Sequence, residues 1–374
     1  MSPRLPRHTL AAATLLLLVA NGTAVRAQPP GPHPADVPVG AAERREVVDT
    51  LAAKLRARYP YPERGEAIAA AMQAHLVRGD FERAATAEAF ARALDADLHA
   101  TGDDRHFRVE FDPGFDTAQE DADHKPTREE IARDRDDMRR RAWGVARVQR
   151  LPGNVGYLDL RGFGPAQFTG PAYDQALGLL SGTDALVVDL RSNGGGEPLA
   201  VSYFVSHFFA EGDDRHLNDI ADRREGTREY WTMPVVGPRY LGPVTVLTSA
   251  RTASGAEECA YDLQTQKRAT LVGEVTAGAA NPGGPAALGH GLVAFIPDAR
   301  AINAVTHRDW EKVGVQPDVK VPAADALKTA YLALLDKRLA EVKEPDEREE
   351  LQDVRRRVVA GEIDLPAWRA PKPR

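Results

Sequence analysis

The sequence lacks the residues that build disulfides and metal centres. Its 374 residues include one cysteine, Cys259, so no disulfide can form within the chain. It contains neither an HExxH nor a CxxC motif, and its ten histidines are scattered. We therefore expect no metal site, and a fold that is stabilised by its apolar core.

The sequence also lacks an excess of positive charge. The chain has 48 Lys and Arg residues against 55 Asp and Glu residues, a formal net charge of -7. Nucleic-acid phosphates attract basic surfaces, so we expect no nucleic-acid partner. The phosphate-binding motifs GxxxxGKS/T and GxGxxG are absent as well. Hydrophobic residues make up 43% of the chain, which is enough to bury a large core.

The first residues have the pattern of an export signal. Arg4 and Arg7 precede an apolar run at 10–19, and Ala27 ends a small-residue cleavage pattern. The apolar run is too short for a typical membrane anchor. We expect residues 1–27 to be a cleaved signal peptide and the mature protein to be periplasmic or secreted, with export as its only membrane contact.

Composition and periodicity divide the rest of the chain into segments. Apolar residues such as Leu51, Leu55 and Tyr59 recur at helical spacing, whereas later segments alternate between strand and helix patterns. The predicted segments are a flexible proline-rich lead at 28–43, an N-terminal helical domain with three helices at 44–115, a charged helical linker at 116–142, an α/β core at 143–330 and a charged helical tail at 331–374.

The core pattern predicts a parallel sheet. Strands are expected at 155–160, 185–190, 244–248, 270–273 and 292–296, with helices near 171–180, 198–209 and 254–266. Strands that alternate with helices pair in parallel through right-handed crossovers. A half-buried strand is also expected at 107–111, so His106 stands at its start.

Ser254 lies where the predicted strand at 244–248 turns into a helix. A serine in such a turn exposes its hydroxyl, and the free N–H groups of the helix start can stabilise an oxyanion beside it. The same residue, with Glu257 three positions later, also fits a capping box. The segment alone leaves both interpretations open.

Three consecutive glycines, Gly194 to Gly196, follow the predicted strand at 185–190. Glycines let backbone N–H groups approach a ligand, and sites in α/β sheets lie at this edge. The loop therefore fits a phosphate cradle, an oxyanion-binding loop or a simple tight turn. The oxyanion-binding loop fits best beside a nucleophilic serine.

Several motifs in order resemble a known family. They are DLRSNGGG at 189–196, TASGAEECAYDLQ at 252–264 and WEKVGVQPDVKV at 310–321, with GYLDLRGFG at 156–164. The chain resembles the tail-specific, or C-terminal processing, serine peptidases over about 143–330, and DDRHFRVEF resembles their retinoid-binding-protein-like branch. The resemblance implies an α/β fold with a ββα-spiral, crotonase-like peptidase core preceded by a small three-helix domain.

The resemblance also implies a catalytic serine and its oxyanion hole. Ser254 would be the nucleophile, and the backbone N–H groups of Gly255 and of Gly194 or Gly195 would bind the oxyanion. No cofactor is implied.

The activating group differs from that of many family members. The loop at 276–281 lacks the family's lysine, and neither Lys267 nor Lys312 occupies its position. The tricorn-like alternative implies His106 as the base and Glu311 as the accompanying acid. Either Glu311 orients His106 or it acts through a water or another hydroxyl.

The implied reaction is hydrolysis of peptide bonds in a polypeptide substrate through an acyl-enzyme, including bonds near substrate C-termini. Three other histidines, His216, His290 and His307, are alternative bases. An alternative from another class is a non-catalytic module that binds a retinoid-like or fatty-acid-like ligand on the same fold.

Overall fold

The computed structural model of the protein describes residues 36–120 and 125–368. The predicted signal peptide at 1–27 and the first part of the predicted lead therefore lie outside the described residues. Within the described ranges, no helix combines the length and apolar character that are needed to span a bilayer.

Nine α-helices occur in the described residues. They are α1 (Ala41–Arg58), α2 (Pro62–Arg78), α3 (Ala87–Gly102), α4 (Arg128–Arg140), α5 (Ala166–Leu180), α6 (Pro198–Ser206), α7 (Gly255–Thr265), α8 (Ala323–Glu341) and α9 (Pro345–Ala360).

Twelve strands in the same ranges form three sheets. They are β1 (Arg108–Phe111), β2 (Val145–Leu151), β3 (Val155–Leu160), β4 (Ala185–Asp189), β5 (His216–Asp222), β6 (Gly226–Trp231), β7 (Val244–Thr248), β8 (Ala269–Gly273), β9 (Gly283–Gly289), β10 (Leu292–Pro297), β11 (Ala299–Asn303) and β12 (Val319–Lys320).

The largest sheet has the order β12-β8-β7-β4-β3-β2, and only β2 runs antiparallel to its neighbour. Its side chains alternate between two apolar layers. Leu186 and Val188 pack towards α5, α6 and α7, whereas Val187 packs towards α8 and α9. This arrangement confirms the predicted mixed α/β fold class with helices preceding the core.

The expected parallel pairing of the strand at 292–296 is wrong. This segment is β10, which pairs antiparallel with β9 and β1 in a separate three-stranded sheet. No helix separates β8 from β9, and β9 joins β10 through a short turn at His290 and Gly291, so no crossover can form.

The three N-terminal helices share an apolar core with that small sheet. Val47 and Leu51 of α1 and Leu94 of α3 are buried together with Val109 of β1 and Ala294 of β10. Two strands from beyond residue 280 thus complete the helical layer. This packing fixes the position of the α3–β1 turn, which carries His106.

The C-terminal helices pack against the core sheet. Tyr331 and Leu335 of α8 and Val354 of α9 are buried in one apolar cluster with Tyr157 of β3. The predicted boundary between residues 330 and 331 therefore falls inside α8, a single helix that covers one face of the sheet.

Candidate active site

Ser254 occupies the sharp turn between β7 and α7. It is the N-cap residue of α7 and has φ +54° and ψ -127°. A positive φ is unfavourable for a residue with a Cβ and persists only where the surroundings enforce it. The strained turn leaves the serine half-buried at the carboxyl edge of the parallel sheet.

The hydroxyl of Ser254 does not cap the helix. The backbone N–H of Ser254 donates to Oε2 of Glu257 at 2.9 Å, but no cap bond from the serine side chain is present. The N–H of Glu257 donates to the backbone carbonyl oxygen of Ser254 at 2.8 Å instead of to its hydroxyl. The structural interpretation of Ser254 as a helix cap therefore does not account for its hydroxyl.

The glycine loop after β4 lies directly against this turn. A Cβ added to Gly195, whose φ is +101°, would come within 2.7 Å of Cβ of Ser254 and within 2.8 Å of N of Gly255. Only glycine permits this approach. The carbonyl oxygen of Asn193 accepts a hydrogen bond from the N–H of Ala253 at 3.2 Å, which ties the loop to the serine turn.

The predicted oxyanion donors differ in availability. The N–H of Gly195 donates to Oδ1 of the buried Asn193 at 2.9 Å, so it is already used. The N–H groups of Gly194 and Gly255 donate to no other group in the described part of the chain. Between the two predicted loop donors, Gly194 has the N–H that can still bind an oxyanion.

A tryptophan near the C-terminus packs on the same loop. Nε1 of Trp368 donates to Oγ of Ser192 at 3.1 Å, and the guanidinium of Arg191 lies 5.6 Å from its ring centroid. Arg191 is itself buried and bonded to Asp189. The position of the glycine loop thus depends on packing from both of its sides.

His106 lies in the turn between α3 and β1, beside Asp104. Its backbone N–H donates to Oδ1 of Asp104 at 3.0 Å, and Nδ1 of its ring is 3.8 Å from the same oxygen. Neither ring nitrogen has a hydrogen-bond partner among the described residues. Burial lowers the pKa of His106, while the Asp104 carboxylate raises it. Burial is the larger effect, so the neutral imidazole is favoured.

Glu311 lies beside the same pair. One ligand atom from each of Asp104, His106 and Glu311 falls within 4.8 Å of the others. Oε2 of Glu311 accepts the N–H of Ala280 at 2.8 Å, whereas its buried Oε1 has no described partner. Burial, followed by the charge of Asp104, raises the pKa of Glu311 to about 7, although the N–H groups of Ala280 and Asn281 oppose the shift.

The loop at 276–281 joins the serine side of the site to the histidine side. The N–H groups of Gly278 and Ala279 donate to Glu257, behind Ser254, at 2.7 and 2.9 Å. Two residues later, Nδ2 of Asn281 donates to Oδ2 of Asp104 at 3.0 Å. The loop at 276–281 is therefore a structural connection between the two halves.

The fold brings the predicted residues together in two groups. Ser254 and Gly255 meet the glycine loop, and His106 meets Glu311, but Ser254 and His106 are not hydrogen-bonded to each other. Apo active sites often hold such pairs loosely.

The other candidate bases lie elsewhere. His216 pairs with Asp219 at 2.7 Å, His290 pairs with Glu46 at 2.8 Å, and His307 is exposed. Of the lysines, Lys267 is exposed at the end of α7 and Lys312 bonds to Asp103. None of these side chains belongs to the cluster around His106.

Sequence reasoning missed Asp104 and Asn281, and it assigned Glu257 only a capping role. Asp104 is 1% exposed and stands two residues before His106, a spacing that could have signalled an orienting carboxylate. Glu257 accepts four hydrogen bonds, three of them from the loop at 276–279, which no local pattern predicts. The sequence also shows no metal motif, yet the fold assembles three possible ligands.

Family models match most of the described chain. Residues 154–321 match peptidase family S41, and residues 41–142 match the N-terminal domain of peptidase S41 in eukaryotic IRBP. The first match lies within the segment 143–330, and the second spans both the segment 44–115 and the segment 116–142. Helices α8 and α9 lie outside both matches.

Two curated relatives have names that agree with these family matches. The chain is 31% identical over 194 residues to the carboxyl-terminal-processing peptidase 2, chloroplastic, of Arabidopsis thaliana, covering 47% of this chain and 35% of that protein. It is 31% identical over 170 residues to the carboxyl-terminal-processing protease of Synechocystis sp., covering 44% and 37%. It thus spans little more than a third of these relatives.

A candidate peptidase from Parabacteroides merdae shares the fold at 16% identity. Its structure superposes with a TM-score of 0.54 over 78% of this chain and 96% of the other. This likeness concerns the fold, whereas the assignment rests on the two family models. The chain contains a peptidase family S41 domain at residues 154–321, preceded by the N-terminal domain of that family at residues 41–142.

Proposed function

We propose that the protein is a serine endopeptidase that hydrolyses peptide bonds through an acyl-enzyme on Ser254. The observation that carries this proposal is the state of the serine: a strained turn holds its side chain against a glycine loop, and its hydroxyl does not cap the helix. A merely structural serine at this position would use its hydroxyl as the N-cap.

His106 is the proposed base. Its Nδ1 faces Asp104 at 3.8 Å, which leaves Nε2 for the serine. A neutral imidazole has a free lone pair at one nitrogen, and burial of His106 favours that state by lowering its pKa. Because neither nitrogen is hydrogen-bonded in the described structure, the reaction requires the two halves to close until Nε2 reaches Oγ of Ser254.

The proposed reaction is an acyl transfer in which His106 first accepts the serine proton and then donates it to the leaving amine. Oγ of Ser254 attacks the peptide carbonyl carbon while its proton passes to Nε2 of His106. The resulting oxyanion binds the N–H groups of Gly255 and Gly194, which have no other acceptor. The tetrahedral intermediate collapses, the amine leaves with the proton from His106, and water then hydrolyses the ester by the same route.

Asp104 and Glu311 are the proposed acidic partners of the imidazolium. Asp104 is held by Tyr59, Asn281 and the His106 backbone, so its carboxyl group has a fixed position beside Nδ1. Glu311 has one oxygen anchored on Ala280 and the other directed to no described group. When ionised, both carboxylates would stabilise the positive charge that His106 gains in the transition state.

The substrate and location are part of the proposal. A cavity of about 340 Å³ beside His106 is lined by Arg105, Phe295 and Val293 among others, and it can accept a substrate side chain. The names of the curated relatives favour substrates that are cut near their carboxyl ends. The pattern of residues 1–27 favours export to the periplasm or the exterior.

The first test compares how the parent and its single-residue variants cleave a panel of unfolded proteins. We expect residues 28–374 to cut at least one substrate, and Ser254→Ala and His106→Ala to lower kcat by up to about a million-fold. Ser181→Ala and His216→Ala are matched controls that should retain activity, since both residues lie outside the cluster.

A fluorophosphonate label separates the enzyme from a binding protein without knowledge of the substrate. An activated Ser254 should be modified in the parent and in Ser181→Ala but not in His106→Ala, as read by peptide mass spectrometry. Equal cleavage by the parent and Ser254→Ala would remove Ser254 as the nucleophile. A parent that neither cleaves nor reacts would favour the hydrophobic-ligand-binding alternative.

A further inference from the structure

The cluster of Asp104, His106 and Glu311 contains three buried polar atoms without a hydrogen-bond partner in the described residues. Nδ1 and Nε2 of His106 and Oε1 of Glu311 are inaccessible to solvent and have no hydrogen-bond partner in the described residues. Buried polar atoms are normally paired, because leaving them unpaired is unfavourable. Three such atoms from two side chains converge here, next to an aspartate that is 1% exposed.

The surrounding groups do not neutralise this cluster. Lys312, which directly follows Glu311, donates to Asp103 at 2.6 Å, and Arg64 donates to the carbonyl oxygen of Gly102 at 2.6 Å. Both cations are therefore occupied by other acceptors. The cluster keeps two carboxyl groups and an imidazole that face one another without a bonded positive charge.

Neighbouring donors also hold the cluster in place as metal-binding sites require. Asp104 accepts hydrogen bonds from the hydroxyl of Tyr59 at 3.1 Å and from Nδ2 of Asn281 at 3.0 Å. Glu311 accepts the N–H of Ala280 at 2.8 Å. Hydrogen bonds of this kind orient the side chains that bind the metal, and they are a regular part of metal sites. Both bonds to Asp104 end on Oδ2, so Oδ1, which accepts only the backbone N–H of His106, keeps a lone pair for a cation, as does Oε1 of Glu311.

The donor set selects one class of ion. One imidazole nitrogen and two carboxylate oxygens suit Zn²⁺ and similar first-row divalent ions, whereas Ca²⁺ and Mg²⁺ prefer oxygen ligands alone. Ligands of a tetrahedral zinc ion stand about 3.4 Å apart. The ligand atoms of Asp104, His106 and Glu311 lie within 4.8 Å of one another, so each distance would have to shorten by no more than about 1.4 Å to reach that spacing.

We propose that Asp104, His106 and Glu311 bind one divalent transition-metal ion, with Zn²⁺ as the best match, and that this ion inhibits the peptidase. Metal bound at the imidazole takes the lone pair that must accept the serine proton. The inhibition rests on the proposed function, whereas the binding does not.

The binding is tested on the full chain with Ser254→Ala, which needs no peptidase activity. Isothermal titration calorimetry with zinc chloride should show one tight site per chain, and magnesium chloride should show none. Adding His106→Gln or Glu311→Gln to this protein should weaken the site at least about 100-fold, whereas adding His216→Gln should leave it unchanged, because His216 pairs with Asp219 at the surface.

Circular dichroism and thermal melting of each variant identify any that has failed to fold. The melting temperature of folded protein should rise with zinc in the Ser254→Ala background and not in its His106→Gln derivative. A site that persists in both folded ligand variants, or the absence of any tight site, would overturn the proposal.

The inhibition is tested separately on the active parent. Micromolar zinc should abolish cleavage, and EDTA should restore it fully. Zinc that binds the Ser254→Ala protein tightly but leaves parent cleavage unchanged would overturn the inhibitory role alone. A parent without activity would contradict the proposed function and would leave the calorimetric result to decide the binding.

Discussion

The two halves of the site are held in different ways. The serine half is bonded to its own sheet: Oγ of Ser249 donates to the carbonyl of Arg191 at 2.7 Å, and Oγ1 of Thr252 donates to that of Leu190 at 2.9 Å. In the histidine half, the ring of His106 has no hydrogen bond among the described residues.

This difference in hydrogen bonding indicates that separate parts of the fold position the nucleophile and the base. Adjacent strands β4 and β7 fix the nucleophile and its glycine loop, whereas packing of the helical layer on the core fixes the base. A site of this kind can keep a precise oxyanion hole while its base moves. Loss of a supporting hydrogen bond in the first half should therefore appear mainly in stability, and loss of one in the second half mainly in activity.

The largest effect is expected from Glu257→Ala in the serine half. Glu257 is fully buried and accepts hydrogen bonds from Ser254, Thr276, Gly278 and Ala279. Its removal leaves these buried donors unpaired, at about 1–3 kcal/mol each. We expect the free energy of unfolding to fall by at least roughly 4 kcal/mol in urea denaturation.

The control for this variant is Glu349→Ala, an exposed glutamate on α9, which should change stability by no more than about 0.5 kcal/mol. A loss under about 1 kcal/mol for Glu257→Ala would mean that the loop at 276–279 does not depend on this carboxylate. The two halves would then be less different than their hydrogen bonds indicate.

The second-largest effect concerns pH. Glu258 and Asp262 lie one turn apart on α7, both buried, and burial raises the pKa of Asp262 to about 8. The folded state thus retains a proton that the unfolded state releases near pH 4. Stability from this group is fully present below about pH 4 and is lost as the pH rises to about 8, at up to about 1.4 kcal/mol per unit.

Asp262→Asn should remove this contribution. Urea denaturation at pH 5, 6, 7 and 8 should give a flatter decline for the variant than for the parent. Asp336→Asn is the control, because pairing with Arg355 lowers the pKa of this half-exposed carboxyl and keeps its titration below the range. Parallel pH curves for the parent and Asp262→Asn would show that Asp262 is ionised in the fold.

The serine half was largely predictable because its signals are local. Strand β7, Ser254 and the start of α7 are consecutive, and the glycines follow β4 directly. Parallel neighbours end at the same sheet edge, so the contact between these two segments followed from the alternation of strands and helices.

The histidine half could not be derived from patterns. Asn281 and Asp104 are 177 positions apart, and only packing brings them together. The choice of His106 and Glu311 came from family resemblance, since neither residue has a distinctive local pattern, and the resemblance left open whether Glu311 contacts His106. The same limitation caused the error at β10, whose apolar run resembles a core strand although it covers the helical layer.

The smallest effect on stability is expected from Asn281→Ala, which tests the connection between the halves. Nδ2 of Asn281 donates to Asp104 at 3.0 Å, and a hydrogen bond of this kind contributes about 0.5–1.5 kcal/mol. Without it, Asp104 and the turn of His106 lose one of their attachments to the core. We expect kcat/KM to fall about tenfold to a hundredfold, because small misplacements of a catalytic group have effects of that size.

Gln73→Ala is the matched control, since Nε2 of Gln73 donates to Asp49 at 2.8 Å between α1 and α2, an amide-to-carboxylate bond far along the chain from the site. It should leave kcat/KM unchanged. Asn281→Asp should be worse than Asn281→Ala, because it places a second carboxylate against Asp104. If Asn281→Ala lowered stability by the expected amount and left kcat/KM intact, the base would be positioned by the apolar packing of α1 and α3 on β10 alone, and the polar connection through the loop at 276–281 would serve folding rather than catalysis.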